Sequence, residues 1–146
     1  MARLLATDHE DLITVAALTQ DALLRACDTD FDKRRRTFSL LINRFRWEEM
    51  EPKRGFCVLR LLGVEKVQRR SWPESAAAVL ELLHIEDDGD DRIEFVFAGG
   101  TAIRARVECI DIMLDDIGDP WPVEARPDHE DDPDPSEDED QEEAKA

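Results

Sequence analysis

Residues 92–118 read RIEFVFAGGTAIRARVECIDIMLDDIG, and the assignment of this stretch decides the fold. Ile93, Phe95 and Phe97 alternate with Glu94 and Val96, a period of two that marks a half-buried strand. Ile103, Ala105 and Val107 alternate in the same way with Arg104 and Arg106. Between them Gly99-Gly100 supplies the positive φ angles of a two-residue hairpin loop. From Glu108 the apolar spacing changes. Cys109, Ile110, Met113, Leu114 and Ile117 fall on one face of a helix, with Gly118 placed as its C-terminal cap and Pro120 preventing continuation. The stretch therefore predicts a hairpin followed by a C-terminal helix.

Upstream, Asp87-Asp88-Gly89-Asp90-Asp91 forms a tight turn. Residues 78–86 fit strand or helix by pattern alone, and the strands that follow favour strand. Phe56, Val58 and Leu62 start another strand that continues through Val64 and Val67, with Gly63 as a bulge site. Phe38, Leu40 and Ile42 share one face of an earlier strand. Beyond Ile42 the apolar parity shifts to Phe45 and Trp47, which requires either a β-bulge or a strand end at Asn43. Residues 28–35 read as a polar loop, and Leu23, Leu24, Ala26 and Cys27 as a short strand. Thr7-Asp8-His9-Glu10 has capping-box chemistry ahead of Leu12, Val15, Ala16 and Thr19, which predicts a first helix over residues 8–20.

Consecutive strands with short connections favour antiparallel pairing. The expected fold class is α+β: a curved antiparallel sheet or partly open barrel of about six strands, with an N-terminal helix and a C-terminal helix packed on it. That element order is similar to pleckstrin-homology-like architecture. Residues 1–127 form a single domain on this reading. Residues 128–146 contain eleven acids, one lysine and no large apolar side chain, so nothing offsets the entropy of ordering them and an acidic, disordered tail is expected.

Composition narrows function mainly by exclusion. No run reaches the ~18 apolar residues of a membrane helix, and no long apolar leader follows Met1. Cys27, Cys57 and Cys109 are odd in number and widely spaced, which fits a reducing, cytoplasmic setting rather than a disulfide framework. His9, His84 and His129 have no partner at metal-ligand spacing, and the acidic turn at 87–91 lacks the order of a calcium loop, so no metal is expected. P-loop, dinucleotide and nucleophile-elbow motifs are missing, so no cofactor or catalytic residue is nominated.

The formal charge of −17 is unevenly placed. Residues 33–70 carry twelve basic and four acidic side chains, whereas residues 71–127 carry four and fourteen. A basic band of this kind suits an anionic partner, with Arg44, Arg46, Arg60, Arg69 and Arg70 as outward binding candidates and Trp47 as either a rim anchor or, the favoured reading, core. A non-catalytic binding or adaptor domain for a protein partner is the first expectation. A nucleic-acid-associated module using the same band is the alternative, with the acidic tail competing in cis. An enzyme with an unfamiliar site is the third.

Two strings carry a family resemblance. Asn43-Arg44-Phe45-Arg46-Trp47-Glu48, and Phe97-Ala98-Gly99-Gly100-Thr101-Ala102-Ile103 running into Val107-Glu108-Cys109-Ile110, are similar to the alphaproteobacterial domain of unknown function 2948 family over residues 4–126. The resemblance implies a cytoplasmic bacterial protein. It implies no activity, cofactor or catalytic residue, and the acidic tail is not part of its pattern.

Overall fold

The computed structural model describes residues 3–89 and 91–124; the acidic tail expected at 128–146 lies outside the described residues. The chain runs β1 (Arg3–Ala6), α1 (His9–Leu18), β2 (Leu23–Arg25), β3 (Thr29–Asp32), β4 (Thr37–Phe45), β5 (Lys53–Leu62), β6 (Val64–Arg70), β7 (Val79–Asp87), β8 (Arg92–Phe97), β9 (Ala102–Val107) and β10 (Ile112–Pro122). Every pairing is antiparallel, in the order β1-β10-β5-β4-β2-β7-β8-β9-β6, with β3 alongside β4.

Gly63 makes this long sheet fold over. It separates β5 from β6 at φ +67°, a conformation that glycine adopts without steric cost. The β9–β10 connection crosses at the same point, where Glu108 N–H donates to Gly63 O and Leu62 N–H to Asp111 O. Because β5 pairs with β10 and β6 with β9, the two bends turn one ribbon as a unit. The inner faces of the two layers then meet, with the Phe38 and Phe95 rings 6.1 Å apart across the core. A single buried cluster draws residues from both layers and from Leu12 and Val15 of α1. The helix packs on β7 and β1. Its cap is Asp8, one residue later than the expected Thr7: Asp8 accepts from Asp11 N–H at 2.8 Å, and the Asp11 carboxylate accepts from Thr7 N–H.

Several sequence expectations are overturned. The fold is mostly sheet, with ten strands and one helix among the described residues, not an α+β arrangement of six strands between two helices. The expected C-terminal helix is the strand β10, so the pleckstrin-homology-like order also fails. Ile112, Leu114 and Asp116 face inward there, and Met113, Asp115 and Ile117 outward. A carboxylate in the inward row hid the period of two. The mirror image occurs in β4, where Phe38, Leu40, Ile42 and Arg44 form one inward row in unbroken register with β5 as far as Phe45. Neither a bulge nor a strand end lies at Asn43; the row simply ends in an arginine. Strands β1 and β3 were missed, being four residues each and polar or partly exposed. The β8–β9 loop holds three residues, Ala98–Gly100, closed by Phe97 N–H donating to Thr101 O at 2.9 Å.

Candidate functional site

The five candidate arginines have three different fates. Arg44 and Arg46 are interior, 0% and 2% exposed, and the expectation that they point outward is corrected. Arg44 donates from Nε and Nη2 to the two Asp116 carboxylate oxygens, each at 2.9 Å, and from Nη1 and Nη2 to Glu48 at 3.0 and 2.7 Å. Burial works against its charge, but these hydrogen bonds outweigh burial and raise its pKa above the ordinary arginine value. The same hydrogen bonds hold the Glu48 carboxyl below its usual range. Burial pushes the neighbouring Cys57 thiol up to about 12. Arg46 donates to Glu49 at 3.1 Å and approaches Asp116 at 3.7 Å. Its Nε and Nη2 have no hydrogen-bond acceptor among the described residues, and both point at the space a Gly55 Cβ would fill. Trp47 is half-buried against Phe45 and donates to Gln20 O at 3.1 Å. This corner organises the fold and presents little to solvent.

Arg60 lies on the outer face of β5, 3.9 Å from Asp115. Arg69 and Arg70 lie in the edge strand β6. Arg69 covers the Trp72 ring at 4.5 Å and donates to Thr29 Oγ1, while Arg70 donates weakly to Gly100 O at 3.4 Å. Other members of the basic band are neutralised locally, as with Arg36 beside Glu65 and Glu108, and Lys53 beside Glu49.

What the linear charge count missed is a cationic outer face on β6, β9 and β8. The register sets Lys66 opposite Arg106, and Arg106 opposite Arg92, so three cations lie in one row across three adjacent strands. The next row is Gln68, Arg104 and Glu94, with the Arg104–Glu94 contact at 4.0 Å. Arg92 approaches Asp88 at 3.6 Å. Lys66 and Arg106 make no ion pair with any described residue. A hollow of about 100 Å³ lies among Lys66, Gln68, Arg92, Arg104 and Arg106. A second, of about 220 Å³, shares Gln68 and Arg104 and extends to Arg69 and Arg70. β6 ends the sheet order, so beyond Val64 its second backbone edge carries no strand among the described residues. Each arginine of β9 alternates with an inward Ile, Ala or Val, a signal available in the sequence.

Among the described residues no three His, Cys, Asp or Glu side chains come together in a way that would hold a metal ion. No described helix is long and apolar enough to cross a membrane. Fold and surface together define a sheet-rich domain, built on one core and carrying a cationic outer face. The chain belongs to the DUF2948 family, described as protein of unknown function, which it matches over residues 2–129. Searches of the curated proteins and of the solved structures give no match.

Proposed function

We propose that the chain is a non-catalytic binding domain whose β6–β9–β8 face takes an extended acidic segment of a protein partner. The observation that carries this reading is the Lys66–Arg106–Arg92 row, in which two of three cations make no ion pair among the described residues. Like charges directly opposite one another in a sheet cost roughly 0.2–1 kcal/mol per pair, and folding gains nothing in return. An anionic ligand converts that cost into binding energy. The edge of β6 adds a main-chain component, since an extended peptide can join a free strand edge through backbone hydrogen bonds. Its alternate side chains would then stand beside Lys66, Gln68 and Arg70. The favoured ligand therefore carries acids at every second position.

Nucleic acid suits this face less well. The aromatic rings of this layer, Phe95, Phe97 and Trp72, are buried or packed against the core rather than offered for base stacking. Three free cysteines, two of them exposed, support the cytoplasmic setting.

The test uses a labelled peptide with glutamate at alternate positions and a single-stranded oligonucleotide of equal charge, against the native chain and the variants Lys66→Glu and Arg106→Glu. Each substitution should weaken peptide binding at least tenfold, and in low salt should raise the unfolding midpoint slightly by relieving repulsion. Unchanged peptide affinity in both variants would refute the reading. Tighter binding of the oligonucleotide, with a steep fall as salt rises, would replace it with the nucleic-acid alternative.

A further inference from the structure

We infer that residues 136–143 of the same chain dock on the β6–β9–β8 face and screen it from outside ligands; this rests on the binding reading above. Charge comes first. Residues 136–143 hold six acids in eight positions, with no basic residue and no proline. The face offers Lys66, Arg70, Arg92, Arg104 and Arg106, all exposed. The acidic residues before them are interrupted by Pro133 and Pro135, which have no N–H to donate to a strand edge. The later run is therefore the better occupant.

Reach is the second consideration. Trp121 and Pro122, near the last described residue, lie opposite Arg54 and Lys53 at the start of β5. Twelve residues along β5 and β6 separate Arg54 from Lys66, at most about 40 Å at ~3.3 Å per residue, and the bend at Gly63 shortens that path. Twelve residues also separate Glu124 from Ser136, and an extended chain of that length spans about 40 Å. The segment is long enough to arrive. Attachment through a short connection gives an effective concentration on the order of millimolar, so even weak charge pairing would occupy the face. A second copy is a poorer occupant, because two β6 edges would bring Lys66, Arg69 and Arg70 against one another.

The experiment compares the native full chain with a full-length variant bearing Asp→Asn and Glu→Gln at the eleven acidic positions of 128–146. Backbone amide shifts and affinity for the alternating-glutamate peptide are both read at 20 mM and 500 mM salt. At low salt the neutralised chain should bind the peptide at least tenfold more tightly. Shift differences should centre on Lys66–Arg70, Arg104 and Arg106, vanish at 500 mM salt and be independent of protein concentration. Equal affinity and equal shifts in the two chains would overturn the inference while leaving the binding reading intact. Shift differences that grow with concentration would overturn it in favour of contact between copies. No binding by either chain would remove the binding reading, and this inference with it.

Discussion

Replacing Asp116 with asparagine keeps the side chain's shape and removes the charge that Arg44 was buried against. Both side chains of the pair are fully enclosed, and they share two hydrogen bonds of 2.9 Å. Removing one partner of such a pair costs about 3–5 kcal/mol, because the other charge is left without its counter-ion in the interior. Glu48 still accepts two hydrogen bonds from Arg44 and its side chain is 40% exposed, which places the loss near the lower end, about 3 kcal/mol. At a urea m-value of roughly 1.5–2 kcal/mol/M the midpoint should fall by about 1.5–2 M. Urea unfolding at pH 7, followed by tryptophan fluorescence, measures this directly. The double variant Arg44→Leu with Asp116→Leu removes both charges, so its loss should be smaller than that of Asp116→Asn alone. A loss below about 1 kcal/mol for Asp116→Asn, or a double variant equal to the sum of its singles, would refute the claim that the pair must be present or absent together.

Three further outcomes follow from the same corner. Gly55→Ala would place a Cβ 3.1 Å from Nε and Nη2 of the buried Arg46, and should cost about 1–2 kcal/mol in urea unfolding, most of it recovered when Arg46→Met is added. Glu48 has its folded pKa below the ordinary value of 4.5, so the stability it contributes is complete above that value and is lost as pH falls through the folded pKa. Urea midpoints between pH 5 and pH 3 should therefore fall less steeply in Glu48→Gln than in the native chain; parallel slopes would count against the Arg44 contact. With Cys57 buried and its thiol pushed up to about 12, a thiol reagent at pH 8 should modify Cys27 and Cys109 rapidly and Cys57 only at the rate of unfolding, which a time course of released chromophore resolves.

The sequence shows strands wherever the inward row stays apolar. β8, β9 and the first half of β4 were legible for that reason, and so was α1, whose Leu12 and Val15 follow helical spacing; β7, whose inward row changes phase between Leu82 and His84, was legible only from the strands that follow it. The second half of β4 and all of β10 were not, and both failures have one cause. Each inward row contains one member of the Arg44–Asp116 pair, and alternation methods read a charged residue as outward. In β10 the outward Met113 and Ile117 strengthened the false helical stripe. An arginine and a carboxylate each ending an apolar alternation are together a sign of a buried pair, here reaching across β5 from β4 to β10, although neither segment says so alone.

The site was partly encoded in the parity of residue numbers. Ile93, Phe95 and Phe97 are odd-numbered, and so are the inward residues Ile103, Ala105 and Val107. In an antiparallel pair, opposite residues lie on the same face, so two apolar rows of equal parity can meet only across an odd number of loop residues. A two-residue Gly99-Gly100 loop would set Phe95 against Arg104. The three-residue loop sets Phe95 against Ile103 and Ile93 against Ala105, which in turn forces Arg92 against Arg106. Hairpin chemistry pointed to the shorter loop, while burial required the longer one. Thus a like-charge pair at the centre of the cationic face follows from the need to bury Phe95. What the sequence could not supply is the third cation, because Lys66 reaches Arg106 only through the β6–β9 pairing, from a segment whose charge sign is opposite to that of its neighbours. Windowed charge counts average over chain neighbours, whereas binding faces are assembled from strand neighbours. The acidic balance of residues 71–127 therefore concealed three arginines that the sheet places beside Lys66 and Arg70.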